Sequence, residues 1–276
     1  INNNPSLYYC LGISLFFEGL CSATYHICPS VLNFQFDTTF MFIGCFLMVI
    51  IIYQKRHIIP TAMKFYSFCA LLIFINTIPL SGVTHEFDIL LWLAFFFIMT
   101  YLMIFGSIYL YYDEEYNIDI DSFNKFIKIL KNIKNIKKRN IPKLILVTSL
   151  NTFSLTMIVF ATITKPNFTD WLLCLCIINL VIYYLYYVFQ KIKNKERIGY
   201  LITLWMFLNI IILVLAIIFF FKSVSDKFLT PDESKKLNYE CVMFNYFDYH
   251  DIWHILSAIG LFIFFNILYF IDNNID

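Results

Sequence analysis

Apolar runs of about 20 residues recur along this chain, and no other feature constrains its folding as strongly. At 1.5 Å per residue, such a run wound as a helix rises ~30 Å, the hydrocarbon thickness of a bilayer. We read eight spans: Leu7–Ile27, Phe34–Tyr53, Ala62–Leu80, Asp88–Tyr112, Lys143–Ile163, Asp170–Gln190, Gly199–Phe221 and Asp251–Ile271. Only 14% of the 276 residues are charged, too few for a soluble domain of this size. The expected fold is an all-α, polytopic transmembrane helical bundle. No repeat of fixed period and no Gly/Ser-rich linker interrupts residues 1–276, so a single transmembrane domain is expected. The chain opens on Ile1, with neither an initiator Met nor a signal peptide, which reads as the C-terminal part of a longer protein.

Basic residues orient the spans, because cytosolic loops carry the excess of Lys and Arg. Fifteen of the twenty lie in one set of loops: Lys55 to Lys64, Lys125 to Lys143, and Lys191 to Arg197. The opposite set holds Lys165, Lys222, Lys227, Lys235 and Lys236. The first set is therefore expected in the cytosol, with both ends of the sequence on that side. Asn167-Phe168-Thr169 is a glycosylation sequon and falls in an outer loop, in agreement. Between residues 113 and 142, Phe123, Phe126, Ile127, Leu130, Ile133 and Ile136 recur at helical spacing among lysines. That pattern predicts an amphipathic helix on the inner membrane surface rather than a nucleic-acid patch.

With this topology, polar residues from distant parts of the sequence arrive at one level. Glu18, Ser22 and His26 follow one another at intervals of four and form a polar stripe on the first span. Asp37 opens the second span, and His250 and His254 stand one turn apart at the start of the last. Ionisable groups at membrane depth are costly, and they mark sites facing the bundle interior. Three imidazoles with an open fourth position suit a catalytic Zn²⁺. His26, His250 and His254 would ligate the metal, while Ser22 and Asp37 would bind or orient a water whose pKa it lowers to roughly 7. Glu18 would lie just behind. Taken one at a time, each histidine reads as an interfacial or helix-capping residue; three helix ends converging favours the metal. His57 and His85 read as solvated loop residues.

Cysteine placement adds one covalent expectation. Six of the eight cysteines fall within predicted spans, where apolar packing is their ordinary role. Cys28 and Cys241 lie in outer loops facing an oxidising compartment, and a disulfide between them is expected. The rival reading makes Cys28 a fourth zinc ligand, which would close the open position.

Two long stretches carry a resemblance. Glu18-Gly-Leu-Cys-Ser-Ala-Thr-Tyr-His-Ile-Cys-Pro29, followed by Asn33-Phe-Gln-Phe-Asp-Thr-Thr-Phe-Met41, resembles the signature of the systemic RNA interference defective transmembrane family, also called cholesterol uptake proteins. Glu240-Cys241 and His250-Asp-Ile-Trp-His-Ile-Leu-Ser-Ala258 look like that family's last helix, as does the acidic end around Asp272. The resemblance implies a preceding extracellular domain, uptake or trafficking of double-stranded RNA, and cholesterol binding. It also implies kinship with alkaline ceramidases and progestin/adiponectin receptors, whose core is a zinc-hydrolase-like bundle. In that wider group the Ser, His, Asp and HxxxH positions match Ser22, His26, Asp37, His250 and His254. The outer loops are not basic, so any grip on RNA phosphates would come from elsewhere.

Two main readings follow. One is a multi-pass protein for double-stranded RNA uptake, binding membrane lipids and cholesterol, in a plasma, endolysosomal or other secretory-pathway membrane. The other is a zinc-dependent hydrolase of lipid amide or ester bonds at the outer leaflet. A lipid binder with a structural zinc is disfavoured by the open position, and a homo-oligomer is a further expectation.

Overall fold

The computed structural model describes residues 5–27, 31–56, 141–164, 168–222, 231–236 and 241–272, with 97, 100, 103, 107, 124, 127, 128 and 131 besides. Among the described residues the elements are helices: α1 (Pro5–Ile27), α2 (Val31–Gln54), α3 (Ile141–Thr164), α4 (Phe168–Lys193), α5 (Tyr200–Lys222), α6 (Pro231–Lys236) and α7 (Tyr249–Phe270). All but α6 contain a stretch long and apolar enough to cross a membrane. The chain is an all-helical integral membrane protein. The expected spans Ala62–Leu80 and Asp88–Tyr112 fall outside the described residues, apart from the helical positions 97, 100, 103 and 107. In the lysine-rich stretch, Asn124, Ile127, Lys128 and Lys131 are helical; Ile127 is half-buried and the other three are exposed, as an amphipathic helix requires.

Local chemistry sets the helix ends. Proline at the first position of α1 forfeits only an N–H that has no helical partner there. At the start of α7, Asp248 accepts from the Asp251 amide at 2.9 Å, while the Asp251 carboxylate accepts from the Asp248 amide at 3.1 Å. This reciprocal capping box starts the helix two residues before the apolar run does. After α4, the Lys195 amide donates to Ile192 and the Glu196 amide to Lys191, with Lys195 in the left-handed region at φ 56. That pattern closes the last carbonyls of α4 and turns the chain sharply.

The contacts divide the chain into two units, Tyr53–Tyr186 and Asn4–Ile52 with Tyr187–Asp276. In the first unit α3 and α4 run antiparallel, joined by hydrogen bonds that neither helix needs for its own backbone. Trp171 Nε1 donates to the Met157 carbonyl at 3.0 Å and Asn179 Nδ2 to Ser154 Oγ at 3.3 Å; α3 is also tied to the helical position 107, where Asn151 Nδ2 donates to Ser107 Oγ at 2.6 Å. In lipid there is no hydrophobic drive between helices, so such polar contacts and close packing hold them together.

The second unit carries the histidines. Helix α1 buries Tyr8, Leu11, Ser14, Ser22 and Tyr25, one stripe at helical spacing. Along this stripe α2 lies antiparallel: Ser14 Oγ donates to the Phe40 carbonyl at 3.4 Å, Phe17 stacks on Phe40, and Tyr25 meets Phe34. On another side α1 lies antiparallel to α7, with Tyr8 Oη donating to the Leu268 carbonyl at 3.0 Å. Helix α7 packs in turn on α5 at Gly260, where an added Cβ would stand 2.8 Å from Leu213 Cδ2. A larger residue at 260 would force the Leu213 side chain to shift.

The end of α7 away from the histidines is tied by charge. Asp272 Oδ1 accepts from Lys191 Nζ at 2.7 Å and from Tyr187 Oη at 2.5 Å, and Glu196 lies 3.5 Å from the same lysine. Lys191 is buried and the Asp272 side chain is only 9% exposed. Removing one partner of a buried pair leaves an uncompensated charge and typically costs ~3–5 kcal/mol; removing both costs far less. Asp272→Ala should therefore lower the melting temperature of purified protein more than the double variant Lys191→Met/Asp272→Ala does. A double variant at least as unstable as the single one would mean that the pair itself holds the helices.

Candidate metal centre

The antiparallel α1–α7 pair brings His26, near the end of α1, to His250 and His254 in the first turns of α7. Their Nε2 atoms form a triangle with edges of 2.8 Å (His26–His254), 3.1 Å (His250–His254) and 3.2 Å (His26–His250). The rings do not stack. They meet edge to edge, with interplanar angles of 65° to 83° and centroids 4.7–4.8 Å apart. Each nitrogen therefore aims its in-plane lone pair, or its proton, at the same point.

Three neutral imidazole nitrogens cannot satisfy such a triangle among themselves. Each offers either one N–H or one lone pair, so at least two like groups must face one another. A cation at the centre removes that conflict. A tetrahedral zinc with Zn–N of ~2.0–2.1 Å needs its ligand nitrogens ~3.3 Å apart, close to the edges found. The donor set thus fits a zinc ion, and His26, His250 and His254 are the residues that would hold it; among the described residues they are the group with metal-ligand geometry. His26 is exposed, whereas His250 and His254 are half-buried, so the cluster opens on the α1 side. Trp253 closes the other side, its ring 4.2 Å from that of His254 and 5.0 Å from that of His250, and Phe220 of α5 backs it.

Of the other expected site residues, the α1–α2 pairing brings Ser22 and Asp37 together. Both are buried, and Ser22 lies within side-chain hydrogen-bonding reach of the Asp37 carboxyl. Glu18, one turn further along α1, is near enough for its charge to act on that carboxyl. Asp37 stays outside the triangle, and its Oδ1 is buried with no hydrogen-bond partner. The carboxylate is thus held from one side and left with a free acceptor. The Nδ1 of His250 is likewise buried without a partner. Cys28, Asn167, His57 and His85 lie outside the described residues, and Cys241 is an exposed thiol.

Sequence reading missed three contributors. The capping box of Asp248 and Asp251 fixes where α7 begins, and hence where its histidines point; the Asp-x-x-Asp spacing was its signal. Trp253 and Tyr25, packed on the histidine rings, give no signal in a chain so rich in aromatic residues.

Fold and site define a polytopic helical membrane protein with a candidate three-histidine metal centre at one end of its bundle. A family profile described as dsRNA-gated channel SID-1 matches residues 1–276, and the chain belongs to that family. It is 31% identical over 274 residues to SID1 transmembrane family member 1 of Mus musculus, covering 98% of this chain and 33% of that protein. The Homo sapiens protein of the same name is 30% identical over 274 residues, with the same coverage. Cholesterol uptake protein 1 of Caenorhabditis elegans is 28% identical over 270 residues, covering 96% of this chain and 35% of that one. The chain thus spans about a third of the length of these curated relatives. The family resemblance carried by residues 18–41 and 250–258 is borne out.

The triangle makes a direct prediction. Purified protein should carry about one zinc per chain by elemental analysis, and His26→Ala, His250→Ala and His254→Ala should each lose most of it. His57→Ala should keep it. Equal zinc content across all four variants would exclude these nitrogens as ligands.

Proposed function

We propose that this chain forms the membrane-embedded part of a double-stranded RNA uptake protein of the SID-1 type, with a zinc ion held by His26, His250 and His254. The observation that carries the reading is the family match along the whole chain. The lysine-rich loops are assigned to the cytosol, which turns the histidine end outward. Similarity to a cholesterol uptake protein supports sterol as a second ligand of the bundle. In cells lacking other family members, expression of the protein should raise internalisation of labelled double-stranded RNA above that of single-stranded RNA. Equal uptake of the two, or none above background, would remove the transport reading.

A second reading has its own support in the Ser22–Asp37 pair. A zinc ion held at the triangle would supply Lewis-acid chemistry, as in the ceramidase-like hydrolases that the site residues resemble. Asp37 would serve as proton acceptor through its free Oδ1, and Ser22 would hold the carboxyl in place. Such a site suits hydrolysis of a lipid amide or ester. Asp37→Asn should then retain zinc yet lose lipid turnover by about 10–100-fold, with Ser22→Ala milder, measured by lipid mass spectrometry with and without a chelator. If the unaltered protein turns over no candidate lipid in bilayers, the enzyme reading is to be abandoned.

A further inference from the structure

The segment just before α7 folds into a tight turn whose chemistry the metal centre does not use. The Tyr246 and Phe247 amides both donate to the Met243 carbonyl at 3.1 Å, and the Val242 amide donates to the Phe247 carbonyl at 2.8 Å. The two central residues, Phe244 and Asn245, have φ of 58 and 55. A turn of this hand belongs to glycine, asparagine and aspartate. Asn245 fits. Phe244 does not, because a bulky side chain in the left-handed region is strained.

That strain does not bury the ring. Phe244 is 85% exposed and Tyr246 75%, and Val242 beside them is exposed as well. A strained backbone that projects aromatic rings away from its own protein points to something outside the chain that receives them. The surroundings say what it is. The turn leads straight into a membrane-crossing helix, and the capping box of Asp248 and Asp251 fixes the join. Beside it ends α5, whose exposed apolar side (Phe207, Ile210, Val214, Ile217) runs up to Phe221 at 80% exposure. In a membrane protein such a surface faces lipid. It ends at Lys222, whose Nζ sits 5.2 Å over the Tyr249 ring, with Phe219 packed on the same ring. Aromatic rings closed off by a lysine are the chemistry of the membrane–water boundary. The exposed tip extends that boundary belt by two more rings.

We propose that the turn Val242–Phe247 is a membrane-interface wedge, with Phe244 and Tyr246 seated among the lipid headgroups and upper acyl chains of the leaflet at the histidine end. Because the capping box joins the turn rigidly to α7, the wedge sets the depth of His250 and His254 in the bilayer. Neither the RNA nor the hydrolase reading is needed for it.

The test is photocrosslinking of the full chain reconstituted in phosphatidylcholine vesicles, with p-benzoylphenylalanine in place of Phe244 or, separately, of Tyr246. The control carries the same probe in place of Lys236, an exposed residue of the polar helix α6. Mass spectrometry should find phosphatidylcholine adducts at 244 and 246 at least fivefold above the control. Three outcomes would overturn the proposal: crosslinks within the chain, crosslinks to a second copy of it, or lipid adducts no more abundant than at position 236.

Discussion

Hydrocarbon does not replace the hydrogen bonds that water gives up, and most of this structure follows from that cost. It makes the spans helical, since only a helix satisfies its backbone within one segment. It also explains why the buried polar side chains that join helices find partners on one another. Trp171 reaches a carbonyl of α3, Tyr8 reaches a carbonyl of α7, and Asn179 meets Ser154. Lys191 and Asp272 meet as an ion pair instead of standing alone. These contacts do more than stabilise. A tyrosine that must reach one particular carbonyl fixes how two helices slide against each other, whereas leucine against leucine would tolerate many registers.

The α1–α7 register is the one on which the candidate site depends. Tyr8 sets it at one end through Leu268, and His26 meets His250 and His254 at the other. A slip of one residue along α1 would move the Nε2 of His26 by ~1.5 Å and swing it round the helix, enough to break a triangle with edges near 3 Å. The same helix α7 is pinned sideways at Gly260 against α5 and at its far end by Lys191. The histidines thus sit at the open end of a helix that is held along the rest of its length.

Among the described residues of this unit, two buried polar atoms without hydrogen-bond partners, Asp37 Oδ1 and His250 Nδ1, are near the site, while a third, Asn209 Oδ1, is on α5. Natural proteins leave such costs where chemistry or binding needs a free group. The strained turn at Phe244 and Asn245 stands just before the same helix start.

Sequence alone determined the class of this protein, because span length and charge asymmetry are properties of composition along the chain and need no contacts. The apolar runs of α1, α2, α3, α4, α5 and α7 could be read to within a few residues, as could the amphipathic character around Ile127. The candidate site residues could be read too: the i, i+4 spacing of His250 and His254 and the i, i+4, i+8 spacing of Glu18, Ser22 and His26 are facts about helix faces. What the sequence could not decide was whether those faces meet. The convergence of three Nε2 atoms within 3.2 Å depends on which helices become neighbours and in what register, and helices of nearly uniform Leu, Ile and Phe do not encode that choice in their pattern. Tertiary structure made it through a few specific contacts: Tyr8 with Leu268, Gly260 with Leu213, Ser14 with Phe40 and Lys191 with Asp272. Each joins residues far apart in the chain, and only packing in three dimensions selects them from the many pairs that the same composition allows.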